Sequence, residues 1–396
     1  MAKFIFIVPP FSGHVNPTIS LGAILLQHDH QVAWISVDPT LHKELPKGGE
    51  ILLIVNEENN ATPDQPSRNT AAVNEKNITG IESIKFLYEE ILIPLNAYMY
   101  TGICNWLDLY NPDVIISDQQ LFSGAIAAHQ KRKIHVTSIT TPAAVEMMEE
   151  MPGIQQWESD QILKLQTTLG LSERQPLTHT TKANLIFTSR HFFGDKPLAD
   201  SFKFIGPATQ HRPILASFNY ERLRENDYPK VLISIGTTFD HQYKTDFFSK
   251  VCEAFGEKEL QIVVISDPDL FKKWPTNFIV QKRIPQLELL PYLDAIVCHG
   301  GYNTVCESLA NGKPLVIVPI AYDQSYVASR VVNTGCGVRL NYKRFKPQHL
   351  SDAVDEILQN NRYRKAAQVV KQSFNKSGGL LGAVKFLTEL TKSCRS

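Results

Sequence analysis

The sequence has no apolar run near the roughly 20 residues that a membrane-spanning helix needs. It also has no net charge, with 40 Lys+Arg against 40 Asp+Glu in 396 residues. The first absence excludes a spanning helix. The second excludes the one-signed field of a polyanion-binding surface, and no long Lys/Arg run supplies one locally. Cysteine is sparse: Cys104, Cys252, Cys298, Cys306, Cys336 and Cys394 are scattered, with no CxxC pair. Neither a disulfide framework nor a zinc site is expected, because Cys298-His299 with Cys306 wants a second ligand pair. Solenoid repeats and low-complexity tracts are missing too. Lys3 followed by Phe4 to Val8 imitates the start of a secretory signal, but Pro9 and Pro10 end the run early and no small-residue cleavage site follows. The run therefore reads as a buried first strand and the chain as cytoplasmic.

What is present suffices for two cores. The length exceeds what one core usually serves, and hydrophobic residues make up 43% against 20% charged. Short apolar runs alternate with longer amphipathic stretches, the pattern of parallel βαβ units covered on both faces. In the first half, strands are expected from Phe4 to Val8, Val32 to Val37, Ile51 to Val55, Val114 to Ser117, Val136 to Ile139 and Leu185 to Thr188, with helices such as Thr18 to His28 between them. The second half repeats the style from Val231, Gln261, Phe278, Ala295 and Leu315, with helices near Thr245, Asn303, Gln324 and Pro347. The expected fold class is α/β: two doubly wound, Rossmann-like domains facing across a cleft, with ligands at the carboxyl ends of the strands. The polar, proline-bearing stretch from Gly206 to Pro229 reads as a linker without periodicity. The expected division is residues 1–210, a linker at 211–229, a second domain at 230–375 and a closing helix in 376–396. Residues 56–80 read as an exposed loop of the first domain.

Chemistry in such a fold sits in loops directly after strands. After the first strand come Gly13-His14-Val15-Asn16-Pro17, where Asn16 or Thr18 is expected to cap the next helix with Pro17 near its first turn. His14 can act there as a general base, since imidazole titrates near neutrality; the plain alternative is a loop histidine bonded to the backbone. Asp118 closes the strand from Val114 and could orient that base, or merely cap the helix that begins near Phe122. The strongest local signal is His299-Gly300-Gly301-Tyr302-Asn303-Thr304, between a strand and a helix. Two glycines admit a ligand close to the backbone, and a helix N-terminus offers N–H groups and a positive dipole end: a phosphate cradle. It has neither P-loop nor GxGxxG spacing. Glu307 could accept from a ribose diol or be a carboxylate favoured by the dipole, while Val305 and Leu309 face the core. Ser234-Ile235-Gly236-Thr237-Thr238 is a second strand–glycine–hydroxyl turn. Asp323 and Gln324 could bond several hydroxyls of one sugar ring or cap the following helix. Asp267-Pro268-Asp269 has carboxylates spaced as in metal–diphosphate sites, but Pro268 marks a turn and no metal is expected.

Arg283-Ile284-Pro285-Gln286, His299 to Thr304, Glu307, Gly312-Lys313-Pro314, Pro319 and Asp323-Gln324 together resemble the donor-binding motif of the GT-B glycosyltransferases of UDP-glucosyltransferase type. Gly13 to Pro17 and Ser234 to Thr237 extend the likeness over nearly the whole chain. Within the group the chain is most similar to the bacterial macrolide-type and zeaxanthin glucosyltransferases, the likeness to the latter resting on Asp118-Gln119, Gly236-Thr237 and Asp323-Gln324 with Val327-Ala328-Ser329-Arg330. The resemblance implies an inverting, metal-independent hexosyltransferase with His14 as base and Asp118 balancing it. It puts His299, Asn303 and Thr304 on the diphosphate, Glu307 on the ribose, Asp323 and Gln324 on the sugar, and Arg283, Ile284 and Gln286 beside the nucleobase. Gly13, Gly301, Thr237 and Thr238 complete the implied donor site.

Arg283 stands where many members of that family carry a stacking tryptophan. A guanidinium can stack on a base too, and the donor is left between UDP-glucose and a dTDP-sugar, with no cofactor besides that co-substrate. The implied acceptor is a small lipophilic natural product bearing a hydroxyl (carotenoid, polyketide or phenolic), met by residues 56–100 and 143–157. Phe86, Tyr88, Tyr98, Met147, Met148 and Trp157 give that region its aromatic and apolar side chains, for several of which core packing is the plainer account. No nucleic-acid partner is expected; contact with a membrane surface, and monomer against homodimer, are left open. A nucleotide-sugar epimerase and a silent sugar-nucleotide binding protein are the alternatives.

Overall fold

The computed structural model describes residues 1–55, 81–142, 145, 151–178, 183–210, 212–213, 216–236 and 241–392. They form two compact units, one taking the chain up to Pro213 and again from Phe374, the other the chain between.

The first unit holds seven parallel strands: β1 (Lys3–Ile7), β2 (Gln31–Ser36), β3 (Glu50–Leu53), β4 (Val114–Asp118), β5 (Ile134–Ile139), β6 (Asn184–Ile186) and β7 (Phe202–Phe204), in the order β3-β2-β1-β4-β5-β6-β7. Phe4 and Phe6 join Trp34, Val114 and Ile116 on one face of the sheet, and Ile5 and Ile7 join Ala33, Ile35 and Ile115 on the other. Both faces are dry, which is why these strands read as continuous apolar runs and not as alternating ones.

The second unit repeats the plan with β8 (Lys230–Ser234), β9 (Gln261–Ile265), β10 (Phe278–Gln281), β11 (Ala295–Cys298), β12 (Leu315–Ile317) and β13 (Gly337–Arg339), ordered β10-β9-β8-β11-β12-β13. The sequence reading missed β7 and β13. Each is a three-residue edge strand, too short for a periodicity to register.

Strand order reverses at one point in each sheet, between β1 and β4 and between β8 and β11. The loops leaving the two strands of such a pair diverge to opposite faces and leave a crevice at the carboxyl ends. The helices that matter to these crevices are α1 (Ser12–Gln27), α2 (Ile93–Tyr110), α3 (Phe122–Gln130), α4 (Pro152–Thr168), α5 (Tyr302–Ala310) and α6 (Gln324–Asn333).

Two expectations need correction. Helix α1 begins at Ser12 and not at Asn16 or Thr18, since the Phe11 carbonyl already accepts from the N–H groups of His14 (2.9 Å) and Val15 (3.0 Å). Pro17 therefore lies inside the helix. The Thr18 hydroxyl donates to the Val15 carbonyl (2.7 Å) and accepts from the buried Trp34 indole (3.0 Å), which pins this turn to β2. The stretch read as a structureless linker contains a helical turn, Tyr220–Leu223, capped by Asn219 and buried at Leu223. Four residues are too few for a pattern.

The closing helix, α7 (Gly379–Lys392), belongs to the first unit. Leu380, Ala383, Val384 and Leu387 enter the core shared with Ile19 and Leu21 of α1, and Thr388 Oγ1 lies 3.3 Å from His30 Nε2. The sequence left its docking partner unassigned.

Candidate active site

In the first unit, Ile7 pairs with Ser117 in the β1–β4 register, so the turn opening α1 and the last residue of β4 share one end of the sheet. His14 and Asp118, 104 residues apart, meet there. Nδ1 lies 3.0 Å from both carboxylate oxygens, with the histidine side chain 13% exposed and the aspartate side chain 0%. Asp118 is not the helix cap of the plain alternative: α3 is capped from Leu121, and Asp118 instead accepts the Gln120 N–H at 2.9 Å.

Thr140, the first residue after β5, completes the cluster and was not foreseen. Its buried hydroxyl donates to Asp118 Oδ2 at 2.7 Å and lies 2.9 Å from His14 Nδ1. Three oxygens thus surround Nδ1, which fixes the proton on that nitrogen and leaves Nε2 as the basic one. The rule that pointed to His14 and Asp118, a polar residue at or just beyond the carboxyl end of a central strand, also covers Thr140; β5 neighbours β4.

Two further contacts hold this corner. Gln119 exchanges side-chain hydrogen bonds with the Thr141 backbone at 3.2 and 3.1 Å. Buried Asn96 of α2 donates to the Leu92 and Gln120 carbonyls (2.8 and 2.9 Å) and accepts from the Ser123 N–H and hydroxyl (2.8 and 2.9 Å). All four of its capacities are used, which fixes the turn after Asp118 in one conformation. Gly13, exposed in the first turn of α1, has open space where a Cβ would stand. The Phe11 ring lies edge-on to His14, centroids 5.8 Å apart.

In the second unit, the turn after β11 leads into α5, capped from Gly301 without a side-chain bond. The helix begins at Tyr302, so Asn303 and Thr304 stand in its first turn, where N–H groups have no partner within the helix. Gly300 has φ +95°, and a Cβ there would stand 3.0 Å from Ile317 and 3.1 Å from the Gln324 carbonyl. The His299 ring is wedged between two glycine positions: a Cβ at Gly236 would lie 2.8 Å from its Cε1, and one at Gly301 2.7 Å from its Nε2. Burial pushes the His299 pKa down to about 4, a shift opposed by a hydrogen bond to the Ser234 backbone. The ring is therefore neutral at pH 7 and carries a single N–H, so at most one ring nitrogen can donate to a phosphate.

Gln286, which opens a helical turn after β10, donates from Nε2 to Glu307 Oε2 at 2.6 Å. The two residues assigned separately to base and ribose thus act as one unit, with the Glu307 carboxylate buried and held in place. Glu307 sits beyond the first turn of α5, which removes the dipole account of it. Ile284 supplies a carbonyl to the Gln286 N–H (2.9 Å), and Arg283 is exposed.

Asp323 stands at the cap position of α6 but makes no side-chain cap bond. Gln324 is buried, and its Oε1 accepts from the Ile320 and Ala321 N–H groups at 2.8 and 3.0 Å. Both lone pairs of that oxygen are used, so Gln324 is left as a donor only and the expected donor–acceptor role narrows. Tyr322, just before, has φ +56°. Thr237 and Thr238 lie outside the described residues. Asp267 accepts the Asp269 N–H at 3.1 Å and pairs with Lys282 at 3.0 Å, so the DxD spacing is that of a capped turn.

The chain is similar to several known proteins. Residues 249–377 match the family described as Erythromycin biosynthesis protein CIII-like, C-terminal domain. The chain is 27% identical to the uncharacterized UDP-glucosyltransferase YdhE of Bacillus subtilis (strain 168), over 97% of each chain. It is 26% identical to the NDP-glycosyltransferase YjiC of the same organism, over 93% of this chain and 92% of that one. Among solved structures, the calicheamicin glycosyltransferase CalG4 superimposes with a TM-score of 0.74 over 100% of both chains, at 19% identity.

Proposed function

We propose that this chain, which has the two-sheet fold of the GT-B glycosyltransferases and resembles those of UGT-like type over nearly its whole length, moves a hexose, glucose before others, from a nucleoside-diphosphate sugar to a hydroxyl of a small lipophilic acceptor, inverting the anomeric carbon and using no metal. The observation that carries this reading is the His14–Asp118–Thr140 cluster at the strand-order reversal of the first sheet.

His14 Nε2 takes the acceptor's hydroxyl proton as the oxygen forms its bond to C1. The bond from C1 to the phosphate oxygen breaks, and its electron pair leaves with the nucleoside diphosphate. Charge growing on that group is met by the N–H groups opening α5, preorganised by the fold, which is the kind of stabilisation a metal ion supplies elsewhere. Full-length similarity to proteins named as UDP- and NDP-sugar transferases supports the donor class.

Mass spectrometry of UDP-glucose and dTDP-glucose incubated with a panel of lipophilic alcohols and phenols tests the proposal. The expected result is an acceptor gaining one anhydrohexose, undiminished in a chelator. An isomerised sugar from donor alone, or no product from any pair, would speak for the epimerase or the silent binder.

The donor side makes its own prediction. Ala at position 301 drives a methyl against the His299 ring; the turn shifts to relieve the clash, and regaining the binding geometry should cost what overpacking typically does, about 1–3 kcal/mol. The UDP dissociation constant should rise about 5- to 150-fold in Gly301→Ala, measured by calorimetry. An unchanged constant would remove this turn from the nucleotide site.

A further inference from the structure

The first unit contains a buried polar pair that the proposed reaction does not use. Tyr88 lies in the π-helical segment Leu87–Leu92, a widened turn of a kind frequent at functional sites. Its hydroxyl is buried and donates to Glu158 Oε1 on α4. Glu158 itself is only partly exposed. Burial pushes its carboxyl up from the ordinary carboxylate range, and the Tyr88 bond opposes that; burial also pushes the Tyr88 phenol well up.

Apolar groups surround the pair. The Phe122 ring stacks on Tyr88 at 6.0 Å, and Trp157 meets it edge-on at 5.7 Å. Phe122 opens α3, four residues after Asp118, and the same cluster takes in Phe11, the ring that abuts His14. A carboxyl group is thus set in an aromatic wall, a short chain of side-chain contacts from the base.

We propose that Glu158, held by Tyr88, is the polar anchor of the acceptor site and selects acceptors that carry a second hydrogen-bond donor besides the hydroxyl presented to His14. This rests on the transferase reading of His14. A carboxyl oxygen in such a wall gains a partner from a ligand O–H or N–H, while an ether oxygen in the same place meets lone pairs with lone pairs. Sites built to bond a hydroxyl reject the analogue lacking it for this reason. The aromatic rings would cover a flat apolar body between the two polar ends.

The test uses binding. A naphthalene diol and a longer stilbene diol, each against its monomethyl ether, are titrated by ligand fluorescence into the full protein saturated with UDP. Wild type should bind at least one diol about tenfold more tightly than its ether. Glu158→Gln places an amide N–H where the carboxylate stood and should erase or invert that preference. Tyr88→Phe breaks the same hydrogen bond but keeps the carboxylate, and should retain it. A purely structural pair predicts that the two variants behave alike. Equal ratios in wild type and Glu158→Gln for both ligand lengths, equal loss in both variants, or no binding of either diol overturns the proposal. Failure of the transferase reading shows separately, as full transfer activity in a variant lacking the His14 imidazole.

Discussion

His14→Ala is expected to lower the turnover number by about 10²–10⁴-fold, the range that general base catalysis usually supplies, while UDP binds as in wild type. On the energy scale this is ~3–5.5 kcal/mol of barrier. The separation of the two effects follows from the fold. His14 lies in the first unit, and the turn after β11 that would hold the diphosphate lies in the second, on a different sheet with a core of its own. The truncated side chain is partly exposed and its main-chain bonds to Phe11 do not involve the ring, so α1 should keep its start. Turnover at several pH values and UDP calorimetry on the same preparation check the result. Parallel loss of both activities would make His14 a structural residue.

Asp118→Asn should cost nearly as much, about 10²–10⁴-fold in turnover, through the tautomer of a ring it does not remove. The carboxylate now accepts from three donors: His14 Nδ1, the Thr140 hydroxyl and the Gln120 N–H. An amide has one acceptor oxygen. If that oxygen keeps the Gln120 bond, the NH₂ group replaces Oδ2 and points its protons at Thr140 and Nδ1. The imidazole then does best by accepting at Nδ1 and protonating Nε2, the atom that must receive the acceptor's proton. Nitrogen-15 NMR of the histidine ring should show the switch. Turnover within threefold of wild type, with Nδ1 still protonated, would dismiss the account.

These two cases mark where sequence reasoning is strong. His14, Asp118 and the turn from His299 to Thr304 were legible because each lies at or shortly beyond the carboxyl end of a strand whose apolar run is unmistakable. Strands buried on both faces have no other way to be written. Glu307 was legible as a polar residue one turn inside a helix whose Val305 and Leu309 are core. Thr140 was missed although the same rule covers it, because a threonine beside a strand carries no chemical signature until a carboxylate is known to lie 2.7 Å away. The early start of α1 was hidden by Pro17, since proline marks a lost N–H donor and not the place where a helix must begin. The bond between Gln286 and Glu307, 21 residues apart, exists only because the helical turn after β10 folds against α5. The narrowing of Gln324 to a donor likewise depends on how its own preceding loop folds back.

The sequence by itself determined the class of the protein. Alternating short apolar runs and amphipathic stretches point to parallel βαβ layers, the glycines and histidine after those runs mark a phosphate cradle, and the resemblance of the whole motif to a known donor-binding block implies a nucleotide sugar. Tertiary structure alone decided which of these residues touch. Strand order and register place His14 against Asp118 and Thr140, return α7 to the first core, and join Tyr88 to Glu158. Local preference acts over a few residues and can set an element's type, whereas contacts across 70 to 126 positions follow from the sheet order and the packing of helices on it.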